Sequence, residues 1–223
     1  MPRDRPIQAV LFDLDGTLVD SAPDLAGAAN DLRAAHGLAP LPYESLRPMV
    51  GSGARGMVGK AFGLAPGDDG YEALRDAFLA GYQQRLLRET AVFAAMQPVL
   101  ARLEALRVRW GIVTNKALRF AEPLVAGLAL HERAAVLIGG DSTPHSKPHP
   151  APLLEAARRI GVAPEHCVYV GDDHRDVIAG RAAGMATLAA AWGYLGHGEA
   201  IEAWGADAVI AEPMALLRWL ELA

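Results

Sequence analysis

The sequence predicts an α/β protein, a doubly wound parallel sheet with a smaller α-helical cap domain inserted into it. Three observations carry that expectation. Six short apolar runs alternate with helical stretches along most of the chain. Those runs are nearly continuous rather than alternating in polarity, the pattern of strands covered on both faces. The alternation breaks once, over roughly ninety residues after the first run, where no convincing strand is found and an ordinary loop would be far too long.

The first run is AVLF at 9–12, leading directly into Asp13, Leu14, Asp15, Gly16 and Thr17. The helical insertion follows. Its first piece, 22–37, starts beside Ser21, carries Pro23 in its first turn and stops at Gly37. A second, 54–63, follows Gly-Ser-Gly, and a third, 71–87, sets Leu74, Phe78, Tyr82 and Leu86 at helical spacing. The alternation then resumes, with strands expected at 110–115, 134–140, 167–172, 186–192 and 207–212. Helices are expected at 97–107, 117–128, 151–160, 174–184 and 214–222. Strand–helix–strand units of this length imply right-handed crossovers in one parallel sheet. The expected division is a core of 1–20 and 91–223 and a cap of 21–90, hinged near Ser21 and across 88–96.

Composition narrows the function classes. With 52% hydrophobic and 21% charged residues, the 223-residue chain has ample apolar surface for a core. A formal charge of −5 offers no basic footprint for nucleic acid. The single cysteine, Cys167, excludes an internal disulfide framework and reads as a buried, inert thiol. Asp13 and Asp15 interrupt the only apolar segment behind the charged N-terminus, so neither a secretory signal nor a membrane span is expected, and the expected location is cytoplasmic.

Chemistry gathers at the strand ends. In an open parallel sheet, ligands bind outside the carboxyl ends of the strands. Asp13 and Asp15 stand there, two apart and so on the same side of an extended chain, with Gly16 free to turn immediately after. Alone, Asp-Gly would be an ordinary turn. The other ends add Thr114, Asn115 and Lys116, then Lys147 in a loop, then Asp172, Asp173 and Asp176. So many carboxylates together need a cation, and Mg²⁺, held by one or two carboxylates and phosphate oxygens, answers that need. The Thr114 hydroxyl, loop N–H groups and Lys147 could hold the remaining phosphate oxygens. Asp13 could serve as nucleophile and Asp15 as acid and base.

The segments DLDGT, TN, KPHP and GDDHRD, in this order, resemble the four signature motifs of the haloacid-dehalogenase-like hydrolase superfamily. The likeness covers essentially the whole chain and implies a Rossmann-like core with an α-helical cap. It implies Asp13 as nucleophile and Asp15 as acid/base that also offers its backbone carbonyl to Mg²⁺. Asp172 becomes a metal ligand, giving a metal set of Asp13, Asp15 and Asp172, with Asp176 supporting it. The phosphate-binding set expected is Thr114, Asn115 and Lys147. Asp15 argues against dehalogenation, where no leaving alkoxide needs a proton, and Lys60, the cap's one lysine, gives little support to a Schiff-base phosphonate hydrolase. Within the superfamily the chain resembles the phosphoglycolate-phosphatase-like branch. The segments WGIVTNKALRFAEPLV, GSGARGMV and AWGY with WGADAVI further resemble the N-acetylmuramic acid 6-phosphate phosphatases.

Both substrates are small phosphomonoesters bearing a carboxylate, which asks the cap for a cation. Arg55 is the first candidate, with Arg119 and Phe120 behind it. The alternatives are a sugar-phosphate mutase, which shares all four motifs, and a non-catalytic binding module on the same fold. His145 and His149 are separated by proline and do not read as a helical zinc pair. His174 reads as an exposed loop residue, and Trp192, Trp204 and Trp219 as packing residues.

Overall fold

A computed structural model describes residues 6–196 and 198–222. Residues 1–5, which hold the charged start of the N-terminal reading, lie outside the described residues.

The run Ala9–Phe12 forms β1, buried along its whole length. It lies between two parallel neighbours, β4 (Arg109–Val113) and β6 (Cys167–Gly171), with Phe12 opposite Ile112 on one side and Val170 on the other. A strand so enclosed has no polar face, hence its unbroken apolar sequence. Outside β4 lies β5 (Leu137–Ile138); outside β6 lie β7 (Ala186–Ala190) and β8 (Ala208–Ile210). All these pairings are parallel, in the order β5-β4-β1-β6-β7-β8.

Alternate residues of β1 feed two apolar clusters on opposite faces. Val10 and Phe12 join residues of α5 (Met96–Ala105), α6 (Leu118–Gly127) and α9 (Met214–Trp219). Ala9 and Leu11 join residues of α7 (Ala151–Ile160) and α8 (His174–Ala182). The sheet is therefore wound on both sides.

The insertion contains α1 (Ala22–Ala35), the short α2 (Tyr43–Leu46), a 3-10 turn at Arg47–Ser52, α3 (Gly53–Phe62) and α4 (Tyr71–Arg85). α1 ends where Gly37 takes a positive φ of 69° and the Leu38 N–H returns to the Arg33 carbonyl at 2.9 Å. α1 packs against both α3 and α4.

Two strand expectations need correction. Where no strand is expected, β2 (Val19–Asp20) and β3 (Ala91–Val92) pair antiparallel at the two chain crossings into the insertion. Two residues are too few to leave a periodic pattern. The apolar run 134–140 yields only Leu137–Ile138 as strand, at the edge of the sheet, although the Ala135 N–H and the Val136 carbonyl also bond to β4. Helices at 174–184 and 214–222 end earlier than expected, at Ala182 and Trp219. Among the described residues no helix is long and apolar enough to cross a membrane.

Candidate active site

Asp13 directly follows β1, and its N–H still donates to the Val170 carbonyl at 2.9 Å, so the backbone of the sheet positions its first carboxylate. Its Oδ1 accepts from the Leu14 N–H at 2.8 Å and lies 2.9 Å from Lys147 Nζ. Lys147 is buried, and its ammonium also lies 2.7 Å from Asp176 Oδ1 and 2.7 Å from the Tyr169 hydroxyl. A charge this deep is tolerable only when paired and hydrogen-bonded. Burial works against the lysine's charge, but Asp13 and Asp176 win and raise its pKa.

Asn115 brings Lys147 to this place. Its Nδ2 donates to the Lys147 carbonyl at 2.9 Å, and its Oδ1 accepts from the Lys147 N–H at 2.9 Å. The Asn115 side chain is thus engaged at both ends with the loop backbone, as a splint for the lysine. Thr114, at the end of β4, is buried and lines the cavity described below.

The end of β6 supplies the other carboxylates through the start of α8. Asp173 caps that helix, accepting from the Arg175 N–H, while Asp176 Oδ2 accepts from the Asp173 N–H at 3.1 Å. This reciprocal cap fixes Asp176 beside Lys147. Asp172 accepts from the Thr17 hydroxyl at 2.8 Å and from the Tyr194 N–H at 2.7 Å. Asp13, Asp172 and Asp176 bring carboxylate oxygens within 4.8 Å of one another. Burial, against the opposing pull of Lys147, raises Asp13 to about 7. Burial and then the charges of Asp13 and Asp176 push Asp172 well above the usual carboxylate range.

These residues fit a divalent cation. The donors are hard carboxylate oxygens, under-compensated as they stand, since Lys147 is shared between Asp13 and Asp176. The surroundings of Asp172 are shaped by missing side chains: a Cβ at Gly16 or Gly193 would run into its carboxylate.

Asp15 lies across the same opening. Its Oδ1 accepts from the Ser21 hydroxyl at 2.5 Å and lies 3.2 Å from Lys116 Nζ. Lys116 in turn donates to the Tyr82 hydroxyl of α4 at 3.0 Å, with its ammonium 4.7 Å from the centre of that ring. Although burial opposes it, Asp15 and Tyr82 raise the lysine's pKa. Lys116 and Tyr82 are functional candidates that the sequence reading passed over, the first as part of a strand end and the second as a core position at helical spacing.

All these groups open into one cavity of about 370 Å³ between the sheet and the insertion. Asp13, Asp15, Thr114, Lys147 and Asp172 are among its polar lining, and Leu25, Phe78, Tyr82 and Phe120 furnish apolar wall. Arg119, itself exposed at the start of α6, lines it too, whereas Arg55, exposed on α3, is absent from the lining. The structure does not bring Arg55 to the site. The His145 and His149 rings lie 4.5 Å apart, tilted by 40°, in a separate open hollow with prolines, and His174 stacks on Trp204. Cys167 is buried, and that burial pushes its thiol up to about 11.

Residues 7–184 match the model of the haloacid dehalogenase-like hydrolases. A phosphoglycolate phosphatase of Xanthomonas campestris is 46% identical over 92% of this chain and 93% of its own. An N-acetylmuramic acid 6-phosphate phosphatase of Pseudomonas aeruginosa is 41% identical over 97% of this chain and 96% of its own. The crystal structure of a predicted phosphoglycolate phosphatase from Haemophilus somnus superposes with a TM-score of 0.84 at 25% identity, covering 96% of this chain and 97% of that one. The chain belongs to the haloacid dehalogenase-like hydrolase family. Within that family it is a phosphoric monoester hydrolase.

Proposed function

We propose that the enzyme is a Mg²⁺-dependent phosphatase that hydrolyses a small, carboxylate-bearing phosphomonoester through an aspartyl-phosphate on Asp13. The observation that carries this reading is the buried Lys147 ammonium shared between Asp13 and Asp176, with Asp172 beside them and Asp15 across the opening. The core is formed by 1–20 and 91–223, and residues 21–90 act as the cap. The relatives' substrates, 2-phosphoglycolate and N-acetylmuramic acid 6-phosphate, are the candidates.

Asp13 Oδ1 is already engaged by Leu14 and Lys147, which leaves Oδ2 to attack phosphorus. As the Oδ2–P bond forms, the bond to the ester oxygen breaks, and Asp15, held by Ser21 and Lys116, gives that oxygen its proton. Water then attacks the aspartyl-phosphate, Asp15 takes the water's proton, and cleavage of the Oδ2–P bond returns Asp13 and inorganic phosphate. Lys147 and the Thr114 hydroxyl face the transferred group's oxygens. Held by the Asp13 and Asp172 carboxylates and the Asp15 backbone carbonyl, Mg²⁺ would neutralise the charge that the phosphoryl group brings among these carboxylates. Positioning and charge neutralisation do most of the work in phosphoryl transfer.

The test is phosphate release from p-nitrophenyl phosphate and from both candidate substrates, with and without Mg²⁺, for the native enzyme and for Asp13→Asn. Metal-dependent turnover lost in the variant is the expected result. Retained turnover in Asp13→Asn would remove the covalent route. The ratio of kcat/KM for the two candidates decides between them.

A further inference from the structure

The cavity's charge is unevenly committed. Among the described residues that line it, five carry a carboxylate (Asp13, Asp15, Asp172, Asp173, Asp176) and four a cation (Lys116, Arg119, Lys147, Arg175). Three of the cations are taken by the protein. Lys147 is shared by Asp13 and Asp176, and Lys116 by Asp15 and the Tyr82 hydroxyl. Arg175 forks onto Asp173, with contacts of 2.7 and 2.8 Å, and reaches the Gly51 carbonyl in the insertion. Arg119 alone has no carboxylate or carbonyl partner among the described residues.

Its position is nevertheless defined. Arg119 follows the Thr114–Lys116 strand end by one helical step, in the first turn of α6. Its guanidinium carbon lies 4.6 Å from the centre of the Phe120 ring, and that ring is tilted against Tyr82 at a centroid distance of 5.6 Å. A guanidinium resting on an aromatic face retains its in-plane fork of N–H donors, the geometry that matches a carboxylate. Phe120 beside it, with Leu25 and Phe78 elsewhere in the lining, gives the cavity apolar surface for a carbon skeleton. A substrate that brings a carboxylate as well as a phosphate into this cavity meets five carboxylates and one uncommitted cation.

We propose that Arg119 is the specificity-determining residue that receives the substrate's carboxylate, placed on the Phe120 wall at the leaving-group side of the cavity. This rests on the phosphatase reading above. It assigns to Arg119 the contact that the sequence suggested first for Arg55.

The experiment compares matched pairs: 2-phosphoglycolate with 2-hydroxyethyl phosphate, and N-acetylmuramic acid 6-phosphate with N-acetylglucosamine 6-phosphate. In the first pair a neutral hydroxymethyl group replaces the carboxylate; in the second the lactyl ether that carries the carboxylate is replaced by a hydroxyl. The quantity read is the ratio of kcat/KM within a pair, for the native enzyme, Arg119→Met and Arg119→Lys. The native enzyme should prefer the carboxylated member of at least one pair. Arg119→Met should cut that preference by about tenfold or more, chiefly through KM, as expected for losing a forked, charge-assisted contact. Arg119→Lys should restore part of it, because charge returns without the fork. A preference that survives in Arg119→Met overturns the proposal, as does an equal loss on both members. A native enzyme that turns over both members equally overturns it too, and leaves the phosphatase reading standing. No Mg²⁺-dependent phosphate release from any compound overturns both.

Discussion

Lys116 Nζ stands 3.2 Å from Asp15 Oδ1, and the two side chains are only 9% and 17% exposed. The same ammonium donates to Tyr82 on α4, so the insertion and the proposed acid/base share one lysine. Removing one partner of so sheltered a pair leaves the other charge uncompensated. Lys116→Met should therefore lower kcat by about ten- to a hundredfold, the range of a misplaced acid/base, and change KM less. Tyr82→Phe, which removes only the hydroxyl, should have a smaller effect in the same direction, and Lys116→Arg should recover part of the loss. Steady-state kinetics on p-nitrophenyl phosphate checks this. A raised KM with kcat intact would make Lys116 a substrate contact instead.

The raised carboxylates predict how stability depends on pH and metal. Asp13 is held at about 7 in the fold, well above the usual carboxylate range. Between that ordinary range and about 7 the folded chain thus binds more protons than the unfolded chain, and stability falls as pH rises through the window. Asp172 is shifted in the same direction. Lys147, whose own pKa is raised, titrates above the window and does not alter the sign. Without divalent metal, Tm should drop from about pH 5 to about pH 8. Millimolar Mg²⁺ should restore about 5 °C or more at the higher pH and little at the lower, because the cation replaces the protons. Thermal melts with and without chelator read both effects. An equal Mg²⁺ shift at the two pH values would detach the metal from these carboxylates.

Glycine at 193 bears on the same site. A Cβ there would lie 2.5 Å from Asp172 Cγ, a distance that side chains do not tolerate. Gly193 is a cleaner test than Gly16, whose φ of 85° would add strain of its own. Gly193→Ala should displace the Asp172 carboxylate and raise the Mg²⁺ concentration for half-maximal activity by about tenfold or more, in line with losses from disturbed ligand shells. Metal titration of activity, alongside the Mg²⁺-induced Tm shift, measures it. Unchanged half-saturation would show that Asp172 does not set metal affinity.

The parts legible in the sequence are those where one local pattern has one physical meaning. β1 and β6 are buried on both faces, so their apolar runs mark them, and carboxylates directly after such runs mark the sheet edge. What escaped depends on distance or helix phase. Lys116 and Tyr82 are separated by 34 residues, and nothing in a strand end or a helical stripe announces that they meet. Asn115 lies in the expected motif, and nothing in that motif announces that its side chain is bonded to the Lys147 backbone across the loop. Arg55 and Arg119 both follow loops near helix starts, and spacing cannot say which one turns toward the cavity. β2 and β3, at two residues each, carry no pattern to read.

The second crossing into the insertion is fastened by a buried carboxylate. Asp24 of α1, fully buried, accepts at Oδ2 from the Glu89 N–H at 3.0 Å, the Thr90 N–H at 2.9 Å and the Thr90 hydroxyl at 2.7 Å. These residues lead directly into β3, so the contact ties the first insertion helix to the chain that returns to the core. Asp24→Ala would leave the buried Thr90 N–H and hydroxyl, and the Glu89 N–H, without their acceptor, which costs about 2–4 kcal/mol. In a chain of this size that is a fall in Tm of about 5–10 °C. Thr90→Val removes only the hydroxyl contact and should cost about 1 kcal/mol. Because a loosened crossing changes how the insertion meets the sheet, Asp24→Ala should also shift kcat and KM together, as hinge variants do. Denaturant melts and kinetics on the same two variants separate these effects. If Asp24→Ala loses stability with kinetics untouched at a temperature where it is fully folded, Asp24 serves the fold alone and the hinge lies at the Ser21 crossing.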